Sequence, residues 1–177
     1  MERMTRVFAC FPLGLGCLLP ACGDPVPDAT VATLGPEDPN VPQGPSHRPG
    51  QPCILCHQTG GGARAFSLGG TVYADVASQK VVGGVSVFVL DTANATFSTA
   101  TNCAGNFFVP TEQFVPTYPI WVTLRAGKIQ RDMASPAYRE GSCAGCHTSP
   151  PGPSSPGHVY VIEDPTVDIL PANPQCP

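Results

Sequence analysis

Charge is scarce in this sequence. Asp, Glu, Lys and Arg make up 12% of its 177 residues, against about a quarter in ordinary soluble domains. The 9 Lys and Arg residues nowhere cluster, which excludes the basic footprint of a nucleic-acid binder and a basic membrane-surface patch. Long apolar runs are missing too: beyond the N-terminus nothing approaches the roughly 18 residues of a membrane-spanning helix. There is one Trp, and there are only 3 Met and 4 His, so each potential metal-binding side chain stands out. What the chain has in excess is Pro (22), Gly (19) and Cys (9). The first two rule out long helices, and the cysteines demand an account.

Arg3 and Arg6 precede an apolar stretch from Val7 to Leu19, the pattern of a secretory signal segment over residues 1–21. The stretch ends Leu18-Leu19-Pro20-Ala21-Cys22, which resembles a bacterial lipobox. Cys22 is therefore the expected lipidation site, anchoring the protein to a membrane surface without spanning it. From Gly23 to Pro52 there are eight prolines in 30 residues and few large apolar side chains. Residues 22–52 are expected to form an extended tether.

Two motifs then share one pattern: Cys53-Ile54-Leu55-Cys56-His57 and Cys143-Ala144-Gly145-Cys146-His147. Composition alone would yield about 0.01 copies of Cys-x-x-Cys-His. The pattern resembles the haem-attachment site of c-type cytochromes. That resemblance implies two haem groups held covalently by Cys53, Cys56, Cys143 and Cys146, with His57 and His147 as proximal iron ligands. Competing chemistries remain: a zinc site shared by the four cysteines, a redox dithiol and small-loop disulfides.

Once Cys10 and Cys17 leave with the signal segment, Cys22 is acylated and four cysteines hold haem, Cys103 and Cys176 remain. In an oxidising compartment they are candidates for a disulfide. Candidates for the distal iron position are His47, six residues before Cys53, His158, and Met133, the only methionine outside the signal segment. His158 also reads as the exposed start of a strand. Phe66, Tyr73, Trp121 and Tyr138 are candidates to pack on a porphyrin.

Between the motifs the pattern is β. Segments 69–75, 85–91, 95–100, 106–109 and 120–125 are short, β-branched and aromatic, with Gly, Asn and Pro between them. In 85–91 one face carries Val85, Val87, Val89 and Asp91 and the other Ser86, Phe88 and Leu90, as for an interior strand of a sandwich with burial partly on both sides. The fold class expected is all-β, a small antiparallel sandwich of immunoglobulin or transthyretin type. Gly70-Thr71-Val72, Val82-Gly83-Gly84-Val85-Ser86-Val87 and Thr101-Asn102-Cys103-Ala104-Gly105-Asn106-Phe107 together resemble the carboxypeptidase regulatory-like domain, with Asn102 where that pattern usually has Asp. The resemblance implies a scaffold without catalytic residues.

The expected organisation is a signal segment (1–21), a lipidated tether (22–52), a first haem segment (53–68), the sandwich (69–135), a second haem segment (136–157), and a terminal strand and tail (158–177). The whole resembles an exported bacterial c-type cytochrome. Its expected role is a dihaem electron carrier, periplasmic or at the cell surface, lipid-anchored, meeting redox partner proteins and no nucleic acid. Two alternatives stand beside it: a haem enzyme such as a small peroxidase or reductase with an open iron position, and a lipid-anchored binding module whose cysteines hold zinc. No hydrolase, metalloprotease or phosphate-loop motif occurs.

Overall fold

A computed structural model describes residues 25–174 except 38, 40, 42, 62, 165 and 167. The signal segment, Cys22 and Cys176 lie outside the described residues. The chain is an all-β sandwich of two sheets, as its short alternating segments require. The strands are β1 (Phe66–Tyr73), β2 (Ser86–Asp91), β3 (Thr96–Ala100), β4 (Asn106–Pro110), β5 (Ile120–Ala126), β6 (Ile129–Asp132) and β7 (Val159–Tyr160). One sheet has the order β3-β2-β5-β6 and is antiparallel throughout. The other has the order β4-β1-β7, with β4 antiparallel and β7 parallel to β1. Among the described residues no helix is long and apolar enough to cross a membrane.

The two sheets close on an aliphatic core in which Val72, Val85, Val87, Val89, Phe107, Val109, Ile120 and Val161 are fully buried. Strand alternation delivers them: Leu68, Gly70 and Val72 of β1 share the inner face with Phe107 and Val109 of β4. The expectation for β2 needs one correction. It is an interior strand, but Val87, Val89 and Asp91 are buried while Phe88 and Leu90 are exposed, because nothing described covers the outer face of its sheet. Asp91 is tolerated inside because backbone N–H groups of Ala95 (2.8 Å) and Thr117 (2.9 Å) donate to its carboxylate.

β6 was not among the expected strands. It is four residues long and mostly polar, so it carries no apolar alternation, and it forms because the turn at Gly127, with φ +62°, folds it back on β5. A second correction concerns the tether. Its described part contains a helix, α1 (Pro25–Thr33), and from Pro45 onward it docks on the sandwich. Asn102 Nδ2 donates to the Pro45 carbonyl (2.6 Å), Asn106 Nδ2 to the His47 carbonyl (3.0 Å), and Gly50 N to Thr71 Oγ1 (2.7 Å). A proline-rich segment has few amides to satisfy; Asn102 in the turn before β4 and Asn106 at its start donate to the carbonyls, and Thr71 of β1 accepts from the Gly50 amide.

Candidate functional site

Both Cys-x-x-Cys-His motifs fold into one helical turn. In the first, α2 (Cys53–Cys56), the His57 amide donates to the Cys53 carbonyl at 3.0 Å. In the second, a 3-10 turn (Cys143–Gly145), the His147 amide donates to the Cys143 carbonyl at 2.8 Å. Residues i and i+3 of such a turn lie on one side, so each pair of thiols is presented together with its histidine following. This is the local reason for the spacing.

Each motif lines its own cavity. The first, about 500 Å³, is bounded by Cys53, Cys56, His57, His47, Phe66 and Phe108, with Arg48 and Arg64 also lining it. The second, about 410 Å³, is bounded by Cys143, Cys146, His147, His158 and Met133, with Arg131 also lining it. Both volumes fall in the range of about 300–1,000 Å³ typical of small-molecule and cofactor sites. The three candidate distal residues thus fall in the two cavities as His47 with the first motif, and His158 and Met133 with the second.

All four histidines make the same hydrogen bond. Nδ1 meets a backbone carbonyl in each case: Gly44 for His47, Arg64 for His57 (2.8 Å), Gly157 for His147 (3.0 Å) and Ser78 for His158 (2.8 Å). A carbonyl only accepts, so Nδ1 carries a proton, which in the neutral ring leaves the lone pair on Nε2. This is the outer-shell arrangement that orients metal-ligating histidines. In the first cavity the imidazoles of His47 and His57 lie 5.8 Å apart between centroids. Two imidazoles sharing one ion through bonds of about 2.0 Å would lie about 6 Å apart. His57 is further fixed by stacking on Phe66 (4.1 Å, 9°), which stacks in turn on Phe108 (4.8 Å).

His158 is 8% exposed and stacks on Tyr73 at 3.8 Å, so the expectation that it faces solvent is corrected: β7 pairs with β1 and draws its preceding residue under the 75–78 turn. Of the expected porphyrin-facing aromatics Phe66 lines the first cavity, and Tyr73, Trp121 and Tyr138 line neither of the two. Trp121 is exposed on the outer face of β5, and Tyr138 is 70% exposed.

Burial pushes the Cys143 thiol up to about 12, with the proximity of Cys53 adding to the effect. Burial raises Cys53 as well. Neither is the low-pKa thiolate of a redox dithiol. Burial also holds the His147 imidazole below its ordinary value, favouring the neutral form a ligand needs. Among the described residues no three His, Cys, Asp or Glu side chains converge as a metal cluster would require. Cys53 and Cys143 lie instead against Gly69 and Gly70, neighbours in β1.

The donors fit a covalently held haem: a thiol pair, a histidine with free Nε2, and an apolar cavity, twice over. Ser142 Oγ is the one buried side-chain oxygen or nitrogen without a partner among the described residues, and Ser142 lines the second cavity. Three arginines line these cavities and each is ion-paired, Arg48 with Glu37 (3.0 Å), Arg64 with Glu112 and Arg131 with Glu163. Sequence reasoning missed Asn102 and Asn106, which hold the His47 segment. The only signal was Asn102 itself, an amide where the resembled pattern has an acid. The amide is needed because an aspartate could not donate to the Pro45 carbonyl.

Cys103 is disulfide-bonded. Its expected partner, Cys176, is outside the described residues, but Asn173 Nδ2 donates to the Cys103 carbonyl at 3.4 Å, which brings the tail alongside. Compared with known proteins, the chain matches no family model, no curated protein and no solved structure.

Proposed function

We propose that this protein is an exported dihaem c-type cytochrome that carries electrons, tethered by lipid at Cys22 in the periplasm or at the cell surface. One observation carries the proposal. Each Cys-x-x-Cys-His turn opens into a cavity shared with a second histidine, and all four imidazoles have Nδ1 tied to a carbonyl, which in the neutral ring leaves the Nε2 lone pair for a metal.

In this reading Cys53 and Cys56 hold one haem, and Cys143 and Cys146 the other. His57 and His147 are the proximal ligands, His47 is distal in the first cavity, and His158 or Met133 in the second. A bound haem supplies one-electron ferric–ferrous chemistry. The chain sets the terms on which it occurs. The carbonyls of Arg64 and Gly157 orient the proximal rings, and the Phe66–Phe108 stack gives the first cavity a rigid apolar wall. The resemblance to a carboxypeptidase regulatory-like domain fits a scaffold role for the sandwich.

The test is a pyridine haemochrome assay on protein exported from a host with the c-type maturation machinery, with zinc counted in parallel. Two haems per chain are expected. A colourless protein carrying zinc would overturn the proposal in favour of a binding module, and a high-spin ferric haem would favour an enzyme with an open iron position.

A further inference from the structure

We propose that β1 is a common wall between the two haem sites, thinned by Gly69 and Gly70 so that the two irons exchange an electron within one molecule. The inference rests on the dihaem reading. Adjacent residues of a strand point to opposite faces, and each glycine here faces a different motif. A Cβ on Gly69 would lie 3.0 Å from Cys53 Cβ and 3.2 Å from its Sγ. A Cβ on Gly70 would lie 2.7 Å from Cys143 Cβ, 2.8 Å from its Sγ and 3.1 Å from the Phe107 ring.

Backbone conformation does not require these glycines. Neither has a positive φ, and both sit in regular register, Gly69 opposite Phe108 and Gly70 opposite Phe107. Glycine weakens a strand interior and often marks close approach of another group. Here the approaching groups are the first cysteine of each motif, one on each face.

The consequence is short range. With adjacent Cα atoms 3.8 Å apart, the two sulfurs are separated by no more than about 13 Å. Phe107, on the strand paired with β1, lines both cavities. An electron lost at one iron, ferrous to ferric, is gained at the other, ferric to ferrous. No bond changes, no proton moves and no further reactant is needed. The molecule then acts as a relay through its sheet, with one site on the outer face of β4-β1-β7 and the other toward the sandwich interior.

The test uses the whole exported protein. In wild type carrying two haems, the ferric EPR signal of each haem should relax faster when both are ferric than when the other is reduced. The potentiometric titration should differ from the sum of the curves of the single-haem variants Cys53→Ser/Cys56→Ser and Cys143→Ser/Cys146→Ser. Gly70→Ala should lower the haem count from two to one by intact mass, with the loss on the peptide containing Cys143. Two haems whose relaxation and titration are independent would overturn the shared wall and leave the dihaem reading standing. Gly70→Ala protein that keeps both haems and wild-type coupling would overturn the role of the glycine. A wild type without haem would overturn the reading beneath both. The EPR comparison needs no variant, so misfolding of a substituted chain does not shield the proposal.

Discussion

The imidazoles of His47 and His57 lie with their ring centroids 5.8 Å apart and their planes inclined by 38°. Nine residues of chain separate them, and neither is placed by the other. His57 is set by the helical turn of its motif, by the Arg64 carbonyl and by Phe66. His47 is set by Asn106, which donates to its backbone carbonyl, and by the Gly44 carbonyl at its ring.

On the dihaem reading proposed above, this pairing assigns His47 as the distal ligand of the first haem. His47→Ala should convert that haem from a low-spin to a high-spin ferric spectrum and leave the second unchanged, as read by optical and EPR spectra. A spectrum unaltered by the substitution would remove His47 from the ligand set. Parallel His158→Ala and Met133→Ala variants should identify which of the two serves the second haem, since only the true ligand's loss changes the spin state.

Asn102 anchors the same segment. Its Nδ2 donates to the Pro45 carbonyl (2.6 Å), while its Oδ1 accepts from the amides of Ala104 (3.0 Å) and Asn106 (3.1 Å). Asn102→Asp keeps the two acceptor bonds and loses the donor, so denaturant unfolding should show a loss of about 1 kcal/mol. A neutral result would mean that the His47 segment is held by Asn106 and Thr71 alone.

The Cys103 disulfide should tie the C-terminal tail to the turn before β4. Non-reducing peptide mapping should recover Cys103 joined to Cys176. Cys103→Ser should lower stability by about 2–4 kcal/mol, as expected for closing a long loop. Recovery of Cys103 linked to any other cysteine would refute the pairing.

Asp91 gives the sandwich an acid dependence. Backbone N–H donation, from Thr117 first and from Ala95, holds its carboxyl below the usual carboxylate value. A folded pKa below the unfolded one stabilises the fold above the unfolded value, about 3.9, and the contribution is lost as pH falls through the folded pKa. Asp91→Asn should therefore melt at a lower temperature than wild type at pH 7, with the gap closing below about pH 4. A gap independent of pH would show that shape and not charge matters at this position.

Much of this architecture was legible in the residues. Val87, Val89 and Asp91 alternate with Phe88 and Leu90, so β2 was fixed as a strand, but whether its second face is covered depends on what packs there, and nothing described does. β6 escaped because a polar edge strand, Ile129–Asp132, has no inward stripe to announce it. The docking of residues 45–50 escaped because proline-rich composition reports a lack of apolar side chains and says nothing of carbonyls that distant amides can take.

The sequence alone determined the two Cys-x-x-Cys-His turns, because residues i and i+3 meet within one turn of backbone and need no partner from elsewhere. It likewise determined the sandwich class, because a period of two records which side of a strand is apolar. Only the tertiary structure decided that His47 meets His57, that Ser78, 80 residues away, takes the Nδ1 of His158, and that Cys53 and Cys143 back onto neighbouring glycines of β1. Periodicity states that a face is buried but not which face it meets. Backbone carbonyls, which orient all four histidines, are the same at every residue and leave no mark in the sequence.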